Sequence, residues 1–441
     1  MTSVHAIPAS SWRARPAGAL GLLRKGSWGI ADQMLISGTN FVTMVFLARG
    51  LGPAAFGAFS LVYGAMLFVN SIQGALIIQP HSVLCASRKG QACADYTLST
   101  AVAQLFFAAA AAVLSGAAGG VSFLAGWPTT HLFLALAPCI AAWQLQEFTR
   151  RVLYDERRLG AAFANDVISY GGQTAVVATL WALGLLTAPI ALYAIMATSA
   201  LAAVVGAWQL RSNLRGRFSR SVFSENWRFG KWLAGAEIGY WASNQFYLYL
   251  TGILLGVAAT GVLRAGYVIF GPTRILGFFL RTVLPNRFAR TLADDGDPAM
   301  REQVKLVTSV SAPLMATYCL LVAVFADPLV RLLYGPQFAG HAMVVVLYAV
   351  SAFVSLMTCV VTSALRAKQL SRRLFISQLY ASLVAAPVGW ALIKFLGVEG
   401  AVVGIILTNV VVGLSNYLAY RRTGRRDGPP EVVVGEGGSP E

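Results

Sequence analysis

The sequence predicts an all-α polytopic membrane protein with twelve transmembrane helices in two pseudo-symmetric six-helix bundles. Three observations lead to this fold class. First, 57% of the residues are hydrophobic and only 12% are charged, whereas soluble domains carry roughly 25% charged residues. Second, twelve apolar stretches have about the length that crosses a bilayer. Third, a segment near residue 51 recurs 204 positions later.

The twelve apolar stretches are predicted to be helices and not strands. In hydrocarbon a backbone must satisfy its own hydrogen bonds, which a helix does within one segment. Pro138 interrupts the fourth and shortest stretch. The predicted spans are 28–50, 56–79, 97–119, 131–148, 162–184, 189–210, 232–255, 262–284, 305–325, 342–365, 374–396 and 399–420.

The repeat indicates that the chain consists of two related halves. Its core reads L-G-x-A-A-x-G at 51–57 and again at 255–261. The same register pairs two tryptophans and two asparagines, which chance matches in an apolar chain do not explain. Internal repeats of this kind are typical of transporters. The matched pairs are Arg24 with Arg228, Gly26 with Gly230, Trp28 with Trp232, Asn40 with Asn244 and Tyr63 with Tyr267.

The basic residues predict the orientation. If the N-terminus is cytoplasmic, 28 of the 34 lysines and arginines fall on that side, as the positive-inside rule requires. Both termini are therefore predicted to be cytoplasmic, and helices one and seven start from the same side. The net charge of +16 is explained by topology and by attraction to anionic lipid headgroups, and not by nucleic acid.

The predicted organisation has five parts. They are a cytoplasmic N-terminal segment at 1–27, an N-terminal six-helix bundle at 28–210, a basic cytoplasmic linker at 211–231, a C-terminal six-helix bundle at 232–420 and a disordered cytoplasmic tail at 421–441.

Enzyme, metal and cofactor chemistry are not expected. The longest loops have only about twenty residues, and no glycine-rich phosphate loop is present. Asp294, Asp295 and Asp297 form the one dense acidic group and are predicted to be turn residues. Cys85 and Cys93 fall in a predicted cytoplasmic loop, so they are expected to be reduced and unpaired.

Polar residues follow one face of helices one and seven. Gln33 and Asn40 share a face of helix one, and the repeat places Glu237 and Asn244 at the matching positions of helix seven. Gln33, Asn40 and Asn244 are predicted to line a central cavity and bind substrate. The alternative for the two asparagines is hydrogen bonding between helices.

Three acidic residues are predicted to couple transport to an ion. Asp32, Asp166 and Glu237 lie inside spans, where a charge is costly and needs a partner or a cavity. For Asp32 and Glu237 the alternative is helix capping or pairing with the basic residues that precede them, which are Arg24, Lys25, Arg228 and Lys231.

Helix eight carries Arg264, Arg274 and Arg281, with Pro272 expected to loosen it. Arg274 falls near mid-membrane, and a guanidinium there must meet a carboxylate or an anionic ligand. All three arginines are predicted to bind substrate. The alternatives are an ion pair of Arg274 with Glu237 or Asp166, and an Arg281 side chain that reaches the cytoplasmic surface.

Three motifs resemble those of the polysaccharide and O-antigen flippases. The most specific is L-A-R-G-L-G-P-A-A-F-G at 47–57, within an opening hairpin at 31–61. The segments F-T-R-R-V-L-Y-D-E-R-R at 148–158 and Y-G-P-Q-F at 334–338 are also similar. These flippases belong to a superfamily that also includes the multidrug and toxin extrusion (MATE) carriers, so the resemblance implies a MATE-like fold.

The resemblance implies a function as well. Such a flippase moves an undecaprenyl-pyrophosphate-linked glycan from the inner to the outer leaflet of the bacterial inner membrane, by alternating access and through a cationic cavity. Its expected partners are the lipid-linked substrate, membrane lipids, a polysaccharide polymerase and glycosyltransferases. The alternatives are a cation-coupled drug extruder of the same fold and, less compatible with the short loops, a membrane glycosyltransferase.

Overall fold

The computed structural model describes residues 16–126 and 129–423, and in this part every regular element is helical. The all-α prediction is confirmed. Two π-helical turns lie at Gly74–Ile78 and Val167–Gly171, and a short 3-10 helix at Pro336–Phe338. The α-helices are α1 Pro16–Gln73, α2 Gln79–Ala86, α3 Gln91–Leu124, α4 Thr130–Asp155, α5 Leu159–Asp166, α6 Gly172–Ala182, α7 Ala188–Gln209, α8 Ser221–Leu255, α9 Val257–Ile269, α10 Thr273–Thr282, α11 Leu284–Asp294, α12 Gly296–Val324, α13 Ala326–Tyr334, α14 Ala342–Ala367 and α15 Ser371–Arg422.

Six helical stretches of the described chain are long and apolar enough to cross a membrane. Two of them have more than 50 residues, more than twice the roughly 20 that one crossing needs. Each of these two bends at a glycine with positive φ, Gly52 in α1 and Gly397 in α15, so each is read as two crossings. The six are Ala31–Ala86, Gln91–Leu124, Ala188–Gln209, Gly296–Val324, Ala342–Ala367 and Arg372–Arg422.

The repeat is visible in the backbone. Gly52 has φ 73° and ψ 173°, and Gly256, its partner in the repeat, has φ 88° and ψ 175°. Residues with a Cβ rarely adopt this conformation, so glycine is needed at both positions. Gly52 divides α1 into two arms, and Gly256 separates α8 from α9.

The two copies of the repeat pack against each other. A Cβ on Gly57 would lie 1.7 Å from the carbonyl oxygen of Val257, and a Cβ on Gly261 would lie 2.0 Å from that of Pro53. The two contacts are equivalent under the repeat, since Pro53 corresponds to Val257. The second arm of α1 thus lies directly on α9, and this contact joins residues 16–209 (the first half) to residues 221–423 (the second half).

Buried apolar side chains form one large core that extends through both halves. It includes Phe56 and Phe59 of α1, Leu192 of α7 and Phe288 of α11, none more than 2% exposed. Large apolar residues also cover the outside, as at Phe123 and Phe395. This distribution fits a chain whose outer surface faces lipid.

The helix ends divide the molecule into two ends. The turns around residues 87–90, 156–158, 210–220, 368–370 and 423 lie together with most of the basic residues, and we call this the basic end. The bends at Gly52, Gly256 and Gly397 and the short helix α13 lie at the opposite end. The assignment of these ends to the two sides of a membrane, and the five-part organisation, stay predictions.

Predicted helix eight is broken into three. The span 262–284 corresponds to α9, α10 and part of α11, and Pro272 lies in the gap before α10. The proline removes a backbone donor, which explains the break and agrees with the expected loosening.

One expectation was wrong: Cys85 and Cys93 form a disulfide. Cys85 lies in α2 and Cys93 in the first turn of α3, and the tight turn between these helices brings their Cα atoms to 5.2 Å. That separation is ordinary for a disulfide. Both residues are helical, whereas the sequence pattern predicted a loop.

Candidate functional site

A buried charge cluster lies in the first half, centred on Arg150 of α4. Its guanidinium donates from Nε to Asp166 Oδ2 at 2.7 Å, from Nη2 to Asp32 Oδ2 at 3.3 Å and from Nη1 to Glu147 Oε2 at 3.1 Å. Asp166 is fully buried, and none of the four residues is more than 8% exposed. Three helices therefore meet at one arginine.

Neighbouring polar groups complete this cluster. The Tyr154 hydroxyl donates to Asp32, and Gln146 Nε2 donates to Asp166 Oδ1 at 3.3 Å. Arg151, which is about half exposed, donates from Nε to Glu147 at 2.8 Å. The π-helical turn Val167–Gly171 begins directly after Asp166, and such turns are frequent at functional sites.

The buried part of the cluster has more carboxylates than cations. Asp32, Glu147 and Asp166 face one buried guanidinium, and only the partly exposed Arg151 adds a second positive charge. Buried charges are strongly unfavourable unless they are paired. The arrangement favours the uptake of a proton or a small cation, which is the chemistry that ion coupling requires.

The sequence identified two members of this cluster and missed two. Asp32 and Asp166 were predicted as coupling residues on separate helices. Arg150 was assigned to the loop 149–161 and Glu147 was not considered, yet both lie on α4, which extends to Asp155. The signal was the spacing of Glu147, Arg150 and Tyr154 at i, i+3 and i+7, which places them on one helix face.

Arg150 pairs with two carboxylates for which the sequence suggested other partners, and those suggested pairs stay predictions. Asp166 was a candidate partner of Arg274, and Asp32 of Arg24 or Lys25; the described partners of both carboxylates include Arg150. The side chains of Arg24 and Lys25 lie outside the described residues.

Glu237 does not join the cluster. It is half-buried on α8 and, among the described side chains, takes part in no ion pair. A coupling role for Glu237 stays a prediction.

A second site lies between the halves, around Arg264 of α9. The half-buried guanidinium sits 5.9 Å from the ring centre of Tyr63 and 5.4 Å from that of Tyr267, two tyrosines that are partners in the repeat. Its Nε is buried and has no hydrogen-bond partner in the described part of the chain. Ser60, the repeat partner of Arg264, is 1% exposed, and its hydroxyl is likewise unpartnered among described residues.

An aromatic group crosses the boundary between the halves near this site. The Trp241 ring lies 4.7 Å from that of Phe68 and 5.2 Å from that of Tyr249, measured between ring centres. The Tyr249 hydroxyl donates to the Leu61 carbonyl at 2.9 Å. The Trp241 indole N–H is buried and lacks a partner within the described residues.

The other predicted binding residues are dispersed. Gln33 is half-buried and donates to Ser37 Oγ at 3.1 Å along α1, and Asn40 has a buried Oδ1 without a described partner. Arg281 is exposed at the last turn of α10. The backbones of Asn244 and Arg274 belong to α8 and α10, but their side chains lie outside the described residues.

A family model described as "Polysaccharide biosynthesis protein" matches residues 46–343, which is more than half of the chain. The chain belongs to this family. A search of curated protein sequences finds no significant match.

Solved structures show the same fold for this family member. An inward-facing MATE family transporter of the MOP superfamily has a TM-score of 0.72 at 14% identity, over 89% of this chain and 94% of that one. A MOP superfamily transporter from Pyrococcus furiosus scores 0.63 at 13% identity, over 93% and 96%. The Vibrio cholerae MATE transporter VcmN scores 0.62 at 15% identity, over 92% and 97%.

The resemblance found in the sequence and the MATE-like fold are therefore confirmed. The family model describes a polysaccharide biosynthesis protein, the fold is the one seen in MATE transporters, and the long apolar helices indicate a multi-pass membrane protein.

Proposed function

We propose that the protein is a flippase for lipid-linked oligosaccharides. It moves undecaprenyl-pyrophosphate-linked glycan repeat units from the inner to the outer leaflet of the bacterial inner membrane, and so supplies the export of a surface polysaccharide, either an exopolysaccharide or a lipopolysaccharide. The basic end and both termini face the cytoplasm. Glycosyltransferases act on the same substrate before it, and a polymerase acts on that substrate after it.

The observation that carries this proposal is Arg264, a cation between the two halves without a described carboxylate partner. Guanidinium groups bind phosphate oxygens by charge-assisted hydrogen bonds. Here a pyrophosphate takes the position between Tyr63 and Tyr267, and Ser60 supplies a hydroxyl. Arg274 and Arg281, which both belong to α10, are predicted to add positive charge for the same substrate.

The neighbouring aromatic group suits the sugar part of the substrate. Phe68, Trp241 and Tyr249 offer flat apolar faces beside a free indole N–H, and aromatic rings combine an apolar surface with a polar atom. Asn40, Asn244 and Gln33 add amide groups that sugar hydroxyls can bond. The lipid tail remains in the bilayer.

Ion coupling is placed at the buried charge cluster, through Asp32 and Asp166 with Arg150, and Glu237 is a further coupling candidate. Protonation or cation binding there changes the pairing of Arg150, which links α1, α4 and α5. Such a change alters how helices of the first half pack, and rocking of the halves follows from it.

The test is polysaccharide export in a strain that lacks the gene. Arg264→Ala should lower surface polymer at least about tenfold, because a charge-assisted contact to the pyrophosphate is lost, while Arg264→Lys retains part of it. Arg274→Ala should abolish export at an unchanged protein level. Arg331→Ala is the matched control, since Arg331 is exposed and pairs with Asp327 on α13.

The competing function, cation-coupled drug extrusion, predicts another result. A drug extruder takes cationic cargo, which Arg264 would repel. If the deletion strain makes normal surface polymer and becomes sensitive to cationic drugs, the flippase proposal is wrong. Accumulation of lipid-linked glycan in the deletion strain supports it and names the glycan.

A further inference from the structure

Two of the three motifs that carry the family resemblance contact each other across the halves. Arg49, within 47–57, donates from Nη1 to the carbonyl oxygen of Leu332 at 3.0 Å. Gln337, within 334–338, donates from Nε2 to the carbonyl oxygen of Arg49 at 2.6 Å. Both contacts lie at the end opposite the basic end, where the second half reaches over the first.

Gln337 is held against the bend of α1. A Cβ on Gly52 would lie 3.0 Å from Gln337 Oε1, so the side chain rests on the residue at which the helix changes direction. The turn that carries Gln337 is itself anchored, because Phe338 and Tyr334 are each 1% exposed. The Tyr334 hydroxyl donates to the carbonyl of Ala265 at 2.9 Å, next to Arg264.

This connection is made at only one of the two repeat copies within the described chain. The repeat partner of Arg49 is Ile253, which is 79% exposed. The Gly57–Gly261 packing is symmetric under the repeat, whereas the contacts of Arg49 and Gln337 are not. The asymmetric contacts are polar and exposed, so they can form and break at low cost.

We propose that the segment 334–338 is a latch that holds the two halves together at the end opposite the basic end. For the halves to part there, Gln337 must release Arg49 and the Gly57–Gly261 contact must separate. This inference rests on the alternating access of the proposed function. The latch is tied to α9, the helix that carries Arg264, so it moves with the second half.

The latch is tested by the accessibility of one introduced cysteine. Ser60→Cys lies one helical turn from Gly57, at a position that is 1% exposed. In right-side-out membrane vesicles, a membrane-impermeant maleimide reacts with it only when the end opposite the basic end opens. Gln337→Ala and Arg49→Ala should each raise the labelling rate about tenfold, the effect of one lost hydrogen bond.

Arg331→Ala is the matched control. It removes an arginine one residue before Leu332, on the same helix, and its described ion pair is with Asp327 of that helix. The chain without Ser60→Cys measures the reaction of the native cysteines. Unchanged labelling in both Gln337→Ala and Arg49→Ala, or an equal rise in Arg331→Ala, overturns the latch.

A second measurement covers variants that fold poorly. Arg49→Cys combined with Gln337→Cys, joined by a short bifunctional thiol reagent, should hold Ser60→Cys unreactive, and the single variants should not. In a chain that keeps Ser60, the same cross-link should stop export. Continued labelling after complete cross-linking overturns the latch. If the latch variants behave as expected but no oligosaccharide is carried, the latch stands and the proposed cargo is wrong. If Gln337→Ala and Arg49→Ala raise the labelling rate only in inside-out vesicles, the latch is supported and the proposed orientation is wrong.

Discussion

At Arg150, one guanidinium contacts three carboxylates from three helices, and all four side chains are buried. Each of its nitrogens has its own acceptor: Asp166, Asp32 or Glu147. Without it, three negative charges would face one another in a medium of low dielectric constant. We therefore expect the residue to hold the first half together and to respond when one of the carboxylates takes up a proton.

Arg150→Ala should destabilise the protein by about 3–5 kcal/mol, the cost of removing one partner of a buried ion pair. The measurement is the unfolding midpoint of the purified protein in detergent. Arg151→Ala is the control, because it is the next residue and also contacts Glu147 but is half exposed, so its loss should cost about 1 kcal/mol or less.

A second variant separates the effect of uncompensated buried charge on stability from the effect of lost packing. Adding Asp166→Asn to Arg150→Ala removes one uncompensated charge and should restore part of the midpoint. Equal midpoints for Arg150→Ala and Arg151→Ala would show that the cluster is not the stabilising element we describe.

At the scale of single residues, the sequence predicted which acidic side chains are buried at a cost in free energy, but it did not predict their partners. Asp32 and Asp166 stood out because acidic groups inside apolar stretches need a reason. Arg150 did not, because arginines next to a span normally mark its basic flank. The contact joins residues 118 positions apart, and no periodicity within a helix reports such a distance.

Among the elements, the paired glycines of α1 and α9 set how closely the halves approach. Gly57 and Gly261 each face a backbone carbonyl of the other copy at a distance that admits no side chain. The repeat was predicted from sequence, and so was a loosening of the helix near Pro272, although the full break was not. The direct contact between the two copies was not, since matched residues indicate related folds and not proximity.

Gly57→Val should keep the two halves apart at the end opposite the basic end, because the new Cβ would overlap the Val257 carbonyl oxygen. We expect faster labelling of Ser60→Cys from outside and a lower rate of export. Gly120→Val is the control, since Gly120 lies in α3 with open space around it. A valine at 57 that leaves labelling at the level of the control would contradict the packing described.

Helix ends were the weakest sequence-based predictions. The span predicted at 131–148 continues to Asp155, and the cysteines at 85 and 93 lie in helices. In both places the helix extends beyond the apolar stretch into polar residues, which buried partners and tight turns stabilise. A hydropathy pattern predicts which stretch lies in the lipid, but it does not show where the helix ends.

On the scale of the whole molecule, the two halves carry different chemistry. Within the described residues, the buried carboxylates lie in the first half, and Arg264 comes from the second. Because the repeat gives both halves related folds, the difference lies in side chains. We infer that the first half responds to the ion and that the second half holds the anionic part of the cargo.

This division predicts separable defects. In proteoliposomes with an imposed proton or sodium gradient, Asp166→Asn should lose the gradient-driven part of transport while still binding undecaprenyl pyrophosphate. Arg264→Ala should weaken that binding about tenfold or more and keep its response to the gradient. Binding can be followed by tryptophan fluorescence, since Trp241 lies beside the site. Loss of both properties in each variant would contradict the division.

The reciprocal glycine contact also limits how this gene can evolve. After the duplication, each copy came to fit the main chain of the other, so a larger residue at 57 cannot be compensated within its own copy. Relief must come from the opposite copy, through a shift of the backbone at 257 or 261. The two copies are thus expected to diverge freely in their side chains, as Ser60 and Arg264 have done. The close approach of their backbones at Gly57 and Gly261 is expected to stay the same. Recombination that exchanges one copy for that of a distant relative should fail here first.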